Sequence, residues 1–318
     1  MLVFSDISEV PADFGPSVVT IGNFDGVHRG HQEVLRRVVH EARRRDLTAT
    51  VMTFDPHPAR VHRPLTPLAR LCSLDERLEL IAAAGIDATL VVPYTLDFAR
   101  QTPQGFVLTY LLKVLSMRAI VAGHDIRFGW DNVGNFQTLQ ELGAEYGFDV
   151  IAIDDVGHKE TGALRWSSTL VRDALRAGDV ASAGAMLGRE PSVRGTIVAG
   201  DRRGRELGFP TANLDVPAGA MIPADGVYAG WLTVSEELSR VAAAISVGTN
   251  PTFHGTERRV EAYAIGRSGL DLYGKEAKVE FVERVRGQAV FSGVAELIAA
   301  MRDDVAQCER ILRGTAGR

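Results

Sequence analysis

The chain has 318 residues, 46% hydrophobic and 24% charged, with a formal net charge of −5. That length favours two domains and a core large enough to need no covalent staples. The interleaved charge lacks the basic face of a nucleic-acid protein, and no apolar run nears the ~18 residues of a membrane span.

In chain order, residues 1–6 lack a basic segment followed by a long apolar stretch, so no signal peptide is expected. Strands are expected at 18–21, 48–54, 88–92, 119–122 and 150–153. Between them lie helices near 31–45, 73–84, 103–116 and 135–146. The first ends on Arg43-Arg44-Arg45, which reads as a solvated terminus complementing the helix dipole. Ser73 and Glu76 form a capping-box pattern, Gly85 closes that helix, and Thr102-Pro103 caps and opens the next. Strand–helix alternation implies a parallel sheet with helices on its faces. A further helix over 179–187 ends at Gly188. Beyond it turn residues become dense, and strands at 194–198, 227–234, 241–247, 259–264 and 278–285 indicate a small antiparallel barrel. A final helix opens at Ser292 with Val294, Leu297, Ile298, Met301, Val305, Cys308 and Ile311 on one stripe. The two cysteines, Cys72 and Cys308, are far apart and expected to be free thiols in a reducing, cytoplasmic setting.

Residues 20–31, Thr-Ile-Gly-Asn-Phe-Asp-Gly-Val-His-Arg-Gly-His, are the most informative segment. They read as strand, glycine-rich turn, then helix. Gly22, Gly26 and Gly30 permit close backbone approach to a ligand. His28 and His31 flank Gly30 at a helix mouth whose exposed N–H groups favour anions. Two imidazole donors there suit transfer at a nucleotide α-phosphate.

Other segments offer matching chemistry. Residues 53–58 end the second strand in a turn fixed by Pro56 and Pro58. After the fourth strand, Asp125 suits a nucleotide hydroxyl or amine, Arg127 a phosphate and Phe128 a stacked ring. Ser167, Ser168 and Thr169 lie between Arg165 and Arg172 at a helix start, as helix caps or as a polyphosphate site. The segment from Gly200 to Arg205 suits phosphate wrapping but lacks the Lys-[Ser/Thr] ending of a P-loop. Thr211 and Asn213 present oxygens on one face of an extended segment, which suits Mg²⁺. Glu261 sits in an alternating strand, either solvated or facing a pocket as a base.

Taken in order, 22–31, 53–58, 167–172 and 208–213 resemble the bacterial bifunctional riboflavin kinase/FAD synthetases, with the likeness running from about residue 17 to residue 312. The resemblance implies α/β plus β architecture: a Rossmann-like nucleotidyltransferase domain over 1–186 and a riboflavin kinase barrel with a terminal helix over 187–318. It implies two consecutive reactions. The riboflavin 5′-hydroxyl attacks the γ-phosphate of ATP, giving FMN and ADP. The FMN phosphate then attacks the α-phosphate of a second ATP, giving FAD and pyrophosphate. By the same resemblance Glu261 is the kinase base, and Thr211 and Asn213 hold its Mg²⁺–nucleotide beside Gly200, Arg205, Gly208 and Pro210. His28 and His31 stabilise the adenylyl-transfer transition state. Gly22, Asn23, Phe24, Asp25, Gly26 and Gly30 are expected around that nucleotide, with Asp125 and Arg127 and, on the phosphates, Arg165, Ser167, Ser168, Thr169 and Arg172. Phe54, Pro56, His57, Pro58 and Phe128 are the expected flavin contacts. Ile126 stands where the family usually has an aromatic, Tyr263 where a histidine is common, and Gly266 near an often acidic position. Two other readings stay open: an enzyme that keeps one activity, the kinase, and a flavin-binding regulator without turnover.

Overall fold

A strand that stays apolar at successive positions has no face to leave in water, so it must be covered on both sides. The computed structural model, which describes residues 1–66, 68–153, 166–199, 208–252 and 255–315, shows this in its first unit. Arg165, Gly200 and Arg205 lie outside the described residues. Packing divides the chain into Met1–Leu68 with Ser73–Ser167, and Ala69–Cys72 with Ser168–Arg318.

The first unit is a six-stranded parallel sheet. Its strands are β1 (Leu2–Phe4), β2 (Ser17–Ile21), β3 (Thr48–Asp55), β4 (Ala88–Pro93), β5 (Met117–Gly123) and β6 (Asp149–Ile153). They pair in the order β1-β4-β3-β2-β5-β6. The helices are α1 (Arg29–Arg45), α2 (Pro58–His62), α3 (Leu74–Ala83), α4 (Leu96–Ala99), α5 (Pro103–Phe106) and α6 (Phe136–Tyr146). After α5 the chain continues as a π-helical stretch, Val107–Val114. Neighbouring residues feed opposite layers: Val18 joins Leu35, Val38 and Ile81, while Val19 joins Leu90, Leu111 and Ile120. All five expected strands are present. The short β1 was not expected, because three apolar residues carry no period. β2 lies between β3 and β5, so the chain leaves it in one direction and later resumes on its other side. The carboxyl ends of β2 and β5 therefore form the sheet's switch point, where ligands of such sheets bind.

The second unit starts with α7 (Ser168–Ala177) and α8 (Val180–Leu187). Its strands are β7 (Ser192–Val198), β8 (Ala212–Asp215), β9 (Gly226–Val234), β10 (Leu238–Thr252), β11 (Gly255–Ala264) and β12 (Glu276–Arg286). They close into an antiparallel barrel, β10-β11-β8-β7-β12-β9, with β9 pairing β10. Val171, Leu175, Val180, Ala183 and Leu187 join the barrel's core. Their burial places the packing boundary at Ser168, ahead of the expected 186/187 division. β8 was expected as an extended segment and proves to be a barrel strand.

The terminal helix, α9 (Val294–Thr315), covers Ala229 with Cys308 and Leu312. Its buried positions, Asp304, Cys308 and Leu312, run from its middle toward its end, and Val294 of the expected stripe is 60% exposed. Asp304 is tolerated in that stripe because Arg286 grips it with two hydrogen bonds, Nε–Oδ1 at 2.8 Å and Nη2–Oδ2 at 2.7 Å. Cys72 and Cys308 are free and buried. Among the described residues no helix is long and apolar enough to cross a membrane.

Closing so small a barrel brings β9 and β12 close. A Cβ on Gly230 would overlap the Glu280 carbonyl oxygen and the Ile245 side chain. Overpacking of this kind costs about 1–3 kcal/mol. Gly230→Ala is therefore expected to lower the thermal midpoint read by Trp231 fluorescence. Gly293→Ala, where a Cβ meets nothing, should leave it alone. Equal midpoints for the two variants would contradict the close approach of β9 and β12.

Candidate active sites

The first site grows from the end of β2. The Gly22 N–H donates to the Met52 carbonyl at 3.1 Å, and then the chain leaves the sheet. Phe24 (φ 49°), Gly26 (φ 78°) and Val27 (φ 38°) all take left-handed backbones. Such geometry in a non-glycine residue costs on the order of 1–3 kcal/mol. Phe24 and Val27 offset it by burying in the layer of Leu35, Val38 and Val51. The turn ends on His28, the N-cap of α1, whose Nδ1 accepts the His31 backbone N–H at 3.4 Å. With Nδ1 accepting, a neutral His28 carries its proton on Nε2.

The two imidazoles stack, with ring centroids 3.7 Å apart and planes 21° from parallel. Phe24 meets His31 edge-on at 5.1 Å. Gly30 makes room for this stack: a Cβ there would lie 3.1 Å from the His28 ring. Asn23 Oδ1 and His31 Nδ1 are both shut off from solvent without a hydrogen-bond partner. Burial, and secondarily the neighbouring His28, hold the His31 pKa well below the usual 6.5. Unpaired buried polar atoms are rare in folded proteins. Here they stand on either side of the α1 N-terminus, whose free N–H groups favour anions, at the sheet's switch point.

Neighbouring segments reach this turn unevenly. The Asn23 carbonyl accepts from Arg77 Nη1 at 2.8 Å and from Thr53 Oγ1 at 3.3 Å. Sequence reading overlooked Arg77. The signal for it is a buried charge on α3, one turn before the buried Ile81. The Phe54 ring meets Tyr94 at 5.5 Å and Phe98 at 5.7 Å, His57 caps α2, and Pro58 opens it after the cis Asp55–Pro56 bond. After β5, Asp125 and Arg127 are exposed, and Asp125 Oδ1 leans to where a Cβ on Gly123 would stand, 2.7 Å away. Phe128 is different: it is buried against Phe106, 5.8 Å between centroids, and fills the core beside the loop. The Trp166 carbonyl passes 3.6 Å from the Cβ position of Gly30, and the Arg29 guanidinium lies 5.8 Å from the Trp166 ring. Ser167 closes the first unit; Ser168, Thr169 and Arg172 open the second. Arg172 is buried and its Nε donates to the Ala69 carbonyl at 2.7 Å, which fastens the 69–72 segment. That edge of its guanidinium is structural, unlike the phosphate contact expected.

The second site lies on the barrel. Val260 and Ala262 face the core, so Glu261 points outward, paired in register with Asn213 and Ser246. Thr211 Oγ1 donates to Glu261 Oε2 at 3.2 Å. Thr211, Asn213 and Glu261 are thus brought together. A cavity of about 320 Å³ lies on one side, lined by Pro210, Thr211, Asn213, Arg267 and Tyr273. A more polar one of about 410 Å³ includes Asp225, Thr249, Arg259, Glu261 and Gln288. Sequence reading missed Arg267, Tyr273, Asp225 and Gln288, which carry no motif and meet only through barrel closure. Gly208 takes φ 85°, and Tyr263 packs edge-on against Phe209 at 5.5 Å. Among the described residues no trio of His, Cys, Asp or Glu is placed to hold a metal. The hydroxyl and amide oxygens of Thr211 and Asn213 suit a cation that keeps most of its bonds to water and phosphate, as Mg²⁺ does.

Residues 10–170 match the family of FAD synthetases and residues 187–312 the family of riboflavin kinases, which defines a two-domain flavin-nucleotide transferase. The bifunctional riboflavin kinase/FMN adenylyltransferase of Escherichia coli (strain K12) is 37% identical over 300 residues, covering 94% of this chain and 93% of that protein. Its namesake in Bacillus subtilis (strain 168) is 33% identical over 294 residues, covering 91% and 90%. A crystal structure described as a macrolide-efflux protein from Streptococcus pneumoniae is similar with a TM-score of 0.86 and 32% identity, covering 95% and 96% of the two chains. The chain belongs to the bifunctional riboflavin kinase/FMN adenylyltransferase family.

The depressed His31 pKa has a sign that can be tested. Below 6.5 an unfolded histidine takes up a proton that folded His31 refuses. Stability is therefore lost as pH falls below 6.5, until the folded group also titrates. The thermal midpoint of the wild type should fall more steeply than that of His31→Asn between about pH 7.5 and 5.5. Parallel midpoint curves, or a His31 resonance titrating at the ordinary value, would contradict the burial of Nδ1.

Proposed function

We propose that this chain converts riboflavin to FMN and FMN to FAD, using ATP in both steps, in the cytoplasm. Adenylyl transfer is assigned to residues 1–186 and phosphoryl transfer to residues 187–318. The observation that carries this reading is that each family match contains its own polar site: the stacked His28–His31 turn and the Thr211–Glu261 contact.

In the kinase, Glu261 takes the proton of the riboflavin 5′-hydroxyl as that oxygen attacks the γ-phosphate, and ADP departs with the bond's electrons. The Thr211 hydrogen bond orients the carboxylate. Thr211 and Asn213 would also hold Mg²⁺ and the nucleotide, with Gly208 and Pro210 alongside, and the cation would supply neutralisation of phosphate charge. A hydroxyl is a poor nucleophile, so this step needs a base.

In the other domain the nucleophile is the FMN phosphate, already an anion near neutral pH. It attacks the α-phosphate of ATP and expels pyrophosphate. No base is required, only donors where charge builds. The Nε2–H of His28 and the neutral imidazole of His31 supply them, with the Gly22–Gly30 turn cradling the phosphates. Phe54, Pro56, His57 and Pro58 are assigned to the flavin, and Asp125 and Arg127 to the nucleotide.

Purified protein incubated with riboflavin, ATP and Mg²⁺ should yield FMN and then FAD, and chelation should stop both. Absence of either product would reduce the reading to one activity, and absence of both would leave a flavin-binding protein. Glu261→Gln should lower FMN production by about 10²–10⁴-fold and leave the conversion of supplied FMN to FAD near the wild-type rate. Near-normal riboflavin phosphorylation would return Glu261 to a solvated role. His31→Ala should show the converse, with FAD formation down by about 10²–10³-fold and phosphorylation intact. Equal loss of both activities would make the histidine a support of the fold instead.

A further inference from the structure

Arg77 is a buried cation, 6% exposed, whose strongest contacts are not with a carboxylate. Its Nη1 donates to the Asn23 carbonyl at 2.8 Å and to the Phe54 carbonyl at 3.1 Å. Nη2 stands 3.5 Å from Asp55 Oδ1, a carboxylate on a half-exposed side chain. Burying a guanidinium needs compensation. An ion pair would serve as well elsewhere on α3, so the placement against two main-chain carbonyls calls for another account.

Those carbonyls stand at the roots of two loops. Asn23 starts the left-handed turn that delivers His28 and His31; Phe54 and Asp55 start the segment assigned to the flavin. Thr53 Oγ1 supports Asn23 from β3, and Gln32 Nε2 holds the Val27 carbonyl at 2.8 Å at the far end. The Asn23 side-chain oxygen has no partner, so the side chain does not secure the turn through that atom. Thr53 ties β3 directly to the turn; Arg77 reaches both loops from α3, and its planar fork lets one nitrogen bridge two carbonyls while the other faces Asp55.

We propose that Arg77 is a positioning residue for adenylyl transfer: it locks the nucleotide turn to the flavin loop and so sets the separation of the two reacting phosphates. This rests on the function proposed above. A misplacement of about 1 Å can cost on the order of 10²-fold in rate. Lysine offers a single ammonium on a flexible stem and cannot reproduce the fork.

The test is a cycle of wild type, Arg77→Met, His28→Ala and the double variant, with the kcat of FAD formation from supplied FMN normalised to correctly folded protein. Riboflavin phosphorylation reports the second unit and should stay constant throughout. Arg77→Met should lower kcat by about 10–100-fold, and Arg77→Lys by less. In the His28→Ala background Arg77→Met should cost much less, because its effect passes through the turn already disarmed. Loss by general unfolding would instead multiply with His28→Ala. A multiplicative cycle, or wild-type kcat in Arg77→Met, would overturn the positioning role while leaving the His28 assignment standing. No effect of His28→Ala would overturn the assignment of the site itself. Should Arg77→Met fail to fold, Arg77→Lys takes its place in the cycle, and a wild-type kcat there overturns the proposal.

Discussion

A parallel sheet whose chain leaves a central strand to one side and returns on the other has a single switch point at its carboxyl edge. In this chain that point falls between β2 and β5. It fixes where the Gly22–His31 turn and the Gly123–Phe128 loop emerge, and it puts the N-terminus of α1 at the crevice. Everything distinctive about the first site follows from meeting that constraint within seven residues. The chain must leave the sheet, reverse and open a helix, and it does so through three left-handed residues. The strain is held in place by Phe24 and Val27 below the turn and by Arg77 and Thr53 at its root. A turn anchored this way leaves the His28–His31 stack little freedom. Preorganised donors of that kind stabilise developing charge without having to rearrange during the reaction.

The barrel solves a different problem. Its site needs two oxygen-bearing side chains and a carboxylate side by side, and antiparallel register supplies that directly: Asn213 stands opposite Glu261, with Thr211 just before the strand. Alternation then sends Glu261 outward while Val260 and Ala262 close the core. The same geometry separates the two cavities, one bordered by Thr211 and Asn213 and the other by Glu261. For the proposed kinase this is a natural division between a phosphate donor and a hydroxyl acceptor.

What was legible in the sequence tracks how locally each feature is determined. β2 to β5 were readable because burial on both faces writes short runs dominated by apolar and β-branched residues, and α3 and the Pro103 helix because Ser73 and Thr102 cap them. The catalytic candidates were readable because each belongs to a short motif. Features set by distant packing were not. A helix start at 167–169 and a helix over 179–187 are legible in the sequence, and only the fold shows that their apolar residues join the barrel's core. Arg172 reads as a phosphate ligand until its Nε is found on the Ala69 carbonyl, 103 residues away in sequence. Phe128 reads as a free ring until Phe106 is found against it. Arg77 has no motif at all; its meaning lies in two carbonyls, one from the turn after β2 and one from β3.

The two sites also differ in what they omit, and the nucleophiles explain the difference. A riboflavin hydroxyl must lose a proton as it attacks, so a site for it needs a carboxylate within reach, and Glu261 is the one proposed for that role. An FMN phosphate arrives deprotonated, and a base beside it would only add repulsion between anions. The turn after β2 accordingly presents imidazoles, backbone N–H groups and glycines at its helix mouth. Its one acid, Asp25, is buried and has an interaction of its own. Burial keeps the His31 pKa well below the usual 6.5, so that ring carries no standing positive charge near neutral pH. Charge reserved for the transition state lowers the barrier, whereas charge that holds ground state and transition state alike does not.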